Sequence, residues 1–229
     1  MEKTTQNQQD AEKQAAALAA VKYVKDGDVV GLGTGSTTTF AIKALGERVQ
    51  EGLNITAAAS SVATEKLAKS FGIEILDLGS LSKIDISIDG ADEFTESLDL
   101  IKGGGGALFR EKIIASLSKN AIVIADTSKK VKELGAFTVP VEVIPLAYQY
   151  VFDQIELLGG QGTLRVKENK NFITDNGNLI IDADFGLINN PAKLASDLNQ
   201  INGILAHGLF INITSKVIMS EGMEIVVFE

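Results

Sequence analysis

Short apolar runs alternate with longer amphipathic stretches over the first 130 residues, and that alternation predicts a repeated β-α unit. The runs at Asp28–Leu32, Ile55–Ala59, Ile73–Leu76, Ile84–Ile88 and Asn120–Ala125 read as strands. The stretches Asp10–Lys25, Thr38–Val49, Val62–Phe71 and Ala107–Leu117 read as helices. Strands and helices interleaved in this way call for a parallel sheet covered on both faces, with right-handed crossovers. After Gly135 the rhythm changes. Phe137–Val143 reads as a strand and Pro145–Leu157 as a helix. Gly162–Val166 and Asn178–Ile181 read as strands on either side of the turn Thr174–Gly177. Pro191–Gln200 reads as a helix, with Pro191 suited to its first turn, and Ile204–His207 as a strand. This β-α-β-β-α-β order is that of the split βαβ, ferredoxin-like module. The apolar runs of the tail, Leu209–Ile213, Lys216–Met219 and Ile225–Phe228, are expected to rejoin the first sheet. The expected fold is therefore α/β: a Rossmann-like parallel sheet with helices on both faces, plus an inserted ferredoxin-like α+β domain. The first unit takes residues 1–134 with 207–229 and the second takes 135–206.

The predicted strand ends carry the chemistry. Lys102 is followed by four consecutive glycines, Gly103–Gly106, and then by a helix-forming run that includes Glu111. Glycines free the backbone to approach a ligand, and a helix start offers unpaired N–H groups to an anion. A flexible linker is the bland alternative, but linkers are polar and this loop lies between apolar segments. Gly31-Leu-Gly-Thr-Gly-Ser-Thr37 is a second strand–loop–helix junction. It lacks the last glycine of the dinucleotide fingerprint and the Gly-Lys-Ser/Thr of a P-loop. Its hydroxyls beside free amides suit a phosphate monoester, and Ser36 as a simple helix cap is compatible with that. Asp89-Gly-Ala-Asp-Glu93 ends another strand in three acids. Lys129 follows the strand ending at Asp126. In an open parallel sheet such ends line one crevice.

Composition narrows the ligand. The net charge of −9 and pI near 4.8 argue against a nucleic-acid surface, so an anionic ligand needs local cations and amides. The chain has no cysteine and a single histidine, His207, which rules out thiolate ligands and a histidine zinc site. His207 reads as structural. Oxygen-only Mg²⁺ at Asp89, Asp92 and Glu93 is the one metal reading left. Residues 1–14 lack the apolar core of a signal peptide and no apolar run approaches ~18 residues, so a cytoplasmic protein without membrane or nucleic-acid partners is expected. The inventory suits a small phosphorylated polyol handled by proton transfer.

The chain resembles type A ribose-5-phosphate isomerase. The segments that carry the resemblance are Gly31–Thr37, Asp89–Glu93, Lys102–Gly106 with Arg110-Glu111-Lys112, Pro140–Pro145, Thr174–Asn178 and His207–Phe210, in order over nearly the whole chain. One departure is Gly106, where the family commonly has alanine; the extra glycine is expected to spare the chemistry and loosen the loop. The resemblance implies interconversion of D-ribose 5-phosphate and D-ribulose 5-phosphate through a cis-enediolate in the non-oxidative pentose phosphate pathway, with no metal or organic cofactor. It implies that Glu111 is the base, and that Asp89 and Asp92 bond the sugar oxygens, with Asp89 assisting ring opening. Lys102 and the amides of Gly103, Gly104 and Gly105 would stabilise the oxyanion. Thr34, Gly35, Ser36 and Thr37, with Lys13 and Lys129, would hold the phosphate, and Gly90 and Ala91 would line the sugar site. A homodimer or homotetramer is implied. Two rivals share the fold: a sugar-phosphate sensor without catalysis, and a coenzyme A transferase using Glu111 as nucleophile. A sensor has no need of Glu111, and no adenine-nucleotide signal supports the transferase.

Overall fold

A computed structural model describes residues 2–222 and 224–229, with side chains from residue 7 onward. Helix α1 (Glu2–Ala20) precedes β1 (Val29–Leu32), α2 (Ser36–Gln50), β2 (Thr56–Ala59), α3 (Val62–Ser70), β3 (Glu74–Ile75) and β4 (Ile84–Gly90). The two-residue strands β5 (Glu93–Phe94) and β6 (Leu100–Ile101) lead to α4 (Leu108–Leu117) and β7 (Ser118–Asp126). Then come β8 (Val139–Val143), α5 (Tyr148–Leu157), β9 (Gln161–Leu164), the hairpin β10 (Val166–Lys167) and β11 (Lys170–Asn171), β12 (Leu179–Asp184), α6 (Pro191–Asn199) and β13 (Ile204–His207). The last strands are β14 (Leu209–Phe210), β15 (Lys216–Glu221) and β16 (Glu224–Phe228).

The main sheet has the order β16-β15-β7-β4-β1-β2-β3, and its strands run parallel except for the β15–β16 hairpin. The chain moves one way from β1 to β3 and the other way from β4 to β15, so the order reverses between β1 and β4. That reversal opens a crevice at the carboxyl ends of those two strands. Alternation decides which side chains face which layer. Val30, Leu32, Ile86 and Ile88 pack with Ala17, Ile42 and Leu45 of α1 and α2. Gly31, Ser87 and Ala58 turn to the opposite face, toward Ile114 of α4, and Ile84 joins that cluster from the first position of β4, outside the strand's alternation.

The second sheet, β13-β8-β12-β9, is antiparallel throughout. Val141, Val143 and Ile181 bury one face against Val151 and Ile155 of α5 and Leu198 of α6. The other face presents Ile180 and Ala206 to Leu108 of α4. Helix α4 is therefore packed between the two sheets. A three-stranded sheet, β14-β6-β5, joins the halves. The Lys102 amide donates to the Gly208 carbonyl at 2.9 Å, and the Gly208 amide to the Pro140 carbonyl at 2.7 Å.

Three expectations change. Helix α1 stops at Ala20, short of Lys25, because a 3-10 turn over Val21–Tyr23 hands on to extended Val24. Strands β15 and β16 do return to the main sheet, but Leu209–Phe210 pairs with β6 instead. Gly106 does not loosen its loop. It has a φ of +81°, and a methyl there would overlap the Phe172 ring, so glycine accommodates a close approach from the second half.

Candidate active site

The site grows from two adjacent strand ends. Leu32 and Ile88 are register partners, which sets Gly33 beside Asp89. A side chain at Gly33 would overlap the Asp89 carboxylate, so the bare backbone there is what admits Asp89 to the crevice. Asp89 Oδ1 accepts from the amides of Gly90 at 2.7 Å and Thr34 at 3.2 Å. Its Oδ2 accepts from Lys102 Nζ at 2.8 Å. The same ammonium donates to the Gly90 carbonyl at 2.5 Å and lies 3.3 Å from Glu111 Oε2. The contact with Glu111 is an ion pair off the hydrogen-bond line, since Glu111 Oε2 is buried without a hydrogen-bond partner.

Glu111 owes its place to helical spacing. Leu108, Glu111 and Ile114 recur at three-residue intervals and form the buried stripe of α4. Glu111 is 3% exposed. Burial, then the charge of Asp89, raises its pKa from the ordinary 4.5 to about 8, against the opposing pull of Lys102. Burial alone would strip the charge from Lys102, but Asp89 and then Glu111 outweigh it and hold the ammonium above its usual range. A carboxylate poised near working pH thus faces a permanent cation. That is what proton abstraction next to a carbonyl requires: a base for the carbon-bound proton, and positive charge where the oxygen becomes negative.

Asp92 is placed by backbone: the Gly104 amide donates to its Oδ2 at 2.7 Å. One of the glycine-loop amides is therefore already engaged. Gly105 N–H has no internal partner among the described residues, and the glycine's α-carbon side lies against Thr34. Gly90 and Ala91 link the two aspartates in sequence, and both are half-buried.

Gly35, not Ser36, precedes the first turn of α2, and no side chain caps that turn. The helix start is open to an anion, with Ser36 and Thr37 beside it. Thr34 contributes differently: its hydroxyl belongs to a cluster with Ser60 at 2.7 Å, Ser61 at 2.8 Å and Thr64 at 3.0 Å. Lys13 is buried on α1 and pairs with Asp10 at 3.5 Å. Its neighbour Glu12 accepts from the Thr127 amide at 3.2 Å and hydroxyl at 2.9 Å. That bond ties α1 to the 3-10 turn Thr127–Lys129 at the end of β7; Lys13 follows Glu12 in sequence and Lys129 closes the turn. Neither lysine bonds the Gly33–Thr37 loop among the described residues.

Glu93 does not join the other two acids. It is buried and accepts from the amides of Gly135 at 2.8 Å and Phe137 at 2.6 Å, tying the strand end to the entry of the second half. That leaves Asp89, on Lys102, and Asp92, on Gly104, as an incomplete set for Mg²⁺. Hydrogen bonds to a carboxylate contribute about 1.5–3 kcal/mol each. Glu93→Ala is therefore expected to lower unfolding free energy in urea by ~3 kcal/mol while leaving kcat within about threefold. A large loss of kcat at unchanged stability would return Glu93 to the chemistry.

His207 is structural, as expected. It is buried, with Nε2 3.1 Å from Asn199 Oδ1 and Nδ1 accepting from the Leu209 amide at 3.3 Å. Lys112 donates to the carbonyls of His207 at 2.7 Å and Leu209 at 2.9 Å. Burial without a carboxylate brings its pKa down to about 7.

Two groups escape sequence reasoning. Glu142 is fully buried on β8, and its Oε1 accepts from Thr174 at 2.9 Å, Asn178 at 2.9 Å and Asn176 at 3.1 Å. The turn so fixed reaches α4 through Asn176 Oδ1, which accepts from Arg110 Nε at 2.9 Å. Arg165, paired with Asp182, donates to the carbonyls of Gly103 at 2.8 Å and Gly104 at 3.2 Å. Pro140–Pro145, Arg110 and Thr174–Asn178 all stand among the segments of the resemblance, but nothing there gave Glu142 its role, and the second group left no trace.

Comparison with known proteins places the chain in a family. The family model for ribose 5-phosphate isomerase A (phosphoriboisomerase A) matches residues 56–223. A ribose-5-phosphate isomerase A of Bacillus mycoides is 49% identical over 208 residues, covering 90% of this chain and 94% of the relative. One of Sphingopyxis alaskensis is 46% identical over 212 residues, covering 93% of each. The structure of ribose 5-phosphate isomerase A from Methanocaldococcus jannaschii superposes with a TM-score of 0.90 at 39% identity, covering 95% of this chain and 97% of that one. A D-ribose-5-phosphate isomerase in complex with phospho-erythronic acid gives 0.91 at 39% identity, with the same coverage.

Proposed function

The chain belongs to the ribose 5-phosphate isomerase A family and is an aldose–ketose isomerase of D-ribose 5-phosphate and D-ribulose 5-phosphate; we propose that Glu111 carries the proton between C2 and C1. The observation that carries this assignment is the buried line Glu111–Lys102–Asp89 at the switch point of the parallel sheet, with contacts of 3.3 and 2.8 Å. In the aldose-to-ketose direction Glu111 takes the C2 proton, and the electron pair moves into the C1–C2 bond. The charge that builds on O1 meets Lys102 and the glycine-loop backbone. A proton passes from the C2 hydroxyl to O1; the electron pair on O2 then forms the C2 carbonyl while the C1–C2 double bond takes the proton back from Glu111 at C1. Asp89 and Asp92 bond the sugar hydroxyls, with Asp89 placed to assist ring opening. The open start of α2, with Ser36 and Thr37, receives the phosphate, and Lys13 and Lys129 add charge at the rim. Remote phosphate binding supplies orientation at the reacting carbons.

Residues 1–134 with 207–229 form the catalytic unit and 135–206 the ferredoxin-like unit; the break of strand order and polarity between the two sheets supports this division. The protein works in the cytoplasm as a homodimer or homotetramer. In support, no described helix is long and apolar enough to cross a membrane, and Leu146, Tyr150 and Leu157 stand exposed around α5.

Turnover of ribose 5-phosphate in deuterated water tests the mechanism. Ribulose 5-phosphate carrying deuterium at C1 is expected, because a carboxyl proton exchanges with solvent. Label-free product under all conditions would point to hydride transfer and remove Glu111 from its role.

A further inference from the structure

We propose that Arg165, on the second sheet's side of the molecule, is a positioning residue that aims the glycine-loop amides at the reacting oxygen. Arg165 lies outside the crevice, between β9 and β10, and its guanidinium is held by Asp182 on β12: Nε donates to Asp182 Oδ2 at 2.9 Å and Nη2 pairs with Oδ1. That leaves Nη1 for the loop. It donates to the Gly103 carbonyl at 2.8 Å and to the Gly104 carbonyl at 3.2 Å.

The consequence follows from peptide geometry. In a trans peptide unit the C=O and the next N–H point in opposite directions. The Gly103 carbonyl and the Gly104 amide belong to one plane, and Arg165 holds the first while Asp92 accepts from the second at 2.7 Å. That plane is clamped at both ends, from opposite sides. The Gly104 carbonyl and the Gly105 amide form the next plane. Arg165 draws the carbonyl outward, so the Gly105 N–H points the other way, toward the crevice, where it has no internal partner among the described residues. The Gly103 carbonyl also accepts from the Gly106 amide at 3.0 Å, so the first plane has a restraint within the loop itself; the second plane has only Arg165, and glycine has no side chain to bias it. The Phe172 ring, 5.9 Å from the guanidinium, seats against Gly106 and closes the same corner. An arginine suits this task because its planar fork can serve two carbonyls and a carboxylate together.

The proposal rests on the reading that the loop amides stabilise the oxyanion, and two ligands separate the two ideas. Phospho-erythronic acid ends in a carboxylate that resembles the charged intermediate; erythritol phosphate ends in a neutral alcohol. Wild-type protein is expected to prefer the acid, and Arg165→Ala to lose most of that preference while binding erythritol phosphate within about twofold. Its kcat should fall between about tenfold and a hundredfold, since a donor is misdirected and not removed, with KM nearly unchanged. Guanidinium ion in the assay should restore part of kcat. Asp182→Asn, which keeps the arginine but frees it, should show the same pattern at smaller size and stands in if Arg165→Ala does not fold. Equal preference for the acid in variant and wild type overturns the positioning role and leaves the loop's role intact. No preference in the wild type overturns the loop's role itself.

Discussion

Replacing Glu111 by glutamine is expected to lower kcat by about four orders of magnitude, the upper end for a positioned base, with sugar-phosphate affinity changed less than about twofold. Glutamine keeps the shape of the protonated acid and removes only the proton-accepting lone pair. Steady-state rates with and without titration calorimetry on the sugar phosphate check the split. Parallel loss of binding and rate would count against Glu111 as the base. The same residue sets the pH behaviour. Only the carboxylate abstracts a proton, so kcat/KM of the wild type should climb with pH, pass half its maximum at about 8, where burial and Asp89 have moved the group, and level off above that. The stability consequence has the opposite sign. Below its ordinary value of 4.5 both folded and unfolded chains hold the proton, and the site costs nothing. Between there and about 8 the unfolded chain has released it and the folded chain has not, so stability falls as pH rises. Glu111→Gln escapes that loss. It should melt above the wild type at pH 9 and close to it at pH 4.5, and a gain confined to acid pH would contradict the raised value.

The second large effect is expected at Lys102. Its ammonium is buried, donating to the Asp89 carboxylate and the Gly90 carbonyl and ion-paired with Glu111. Lys102→Met leaves Asp89 without its cation in the interior, and breaking such a pair costs about 3–5 kcal/mol. It also takes positive charge from the developing oxyanion, worth ~10²–10³-fold in kcat. A third signature separates these from general damage. Lys102 pulls the Glu111 pKa down, so the variant's pH–rate profile should rise at more alkaline pH than that of the wild type. A destabilised variant with an unmoved profile would mean that the two groups are not electrostatically coupled.

The parallel sheet and the nearness of Glu111 to Lys102 were legible because their causes are local. Periodicity marks β1, β4 and β7, and the spacing of Leu108, Glu111 and Ile114 turns the carboxylate inward whatever else happens. The six-element order of the second sheet was readable for the same reason. What stayed hidden is held by pairing across distance. Strands β5, β6 and β14 have two residues each and carry no pattern, so the strip joining the halves could not be seen. Glu93 follows Asp89 and Asp92 in sequence and looks like their companion. Only the fold shows that it turns to the amides of Gly135 and Phe137. Arg165 sits within the expected strand Gly162–Val166 and Asp182 just past the expected strand Asn178–Ile181, and neither position carried a signal of its partner. Their importance comes from two carbonyls 61 and 62 residues away. Thr34 entered the phosphate set only through the resemblance, and its hydroxyl bonds Ser60, Ser61 and Thr64, all downstream of it.

Because α4 lies between two sheets, this enzyme resists miniaturisation. A designer who kept only the parallel-sheet half would retain every group assigned to bond breaking. The same cut would unplug Leu108 from Ile180 and Ala206, strand Arg110 without Asn176, and hand the glycine loop back to solvent. A shortened scaffold would need a substitute buttress on that flank of the helix before its catalytic residues could be expected to work.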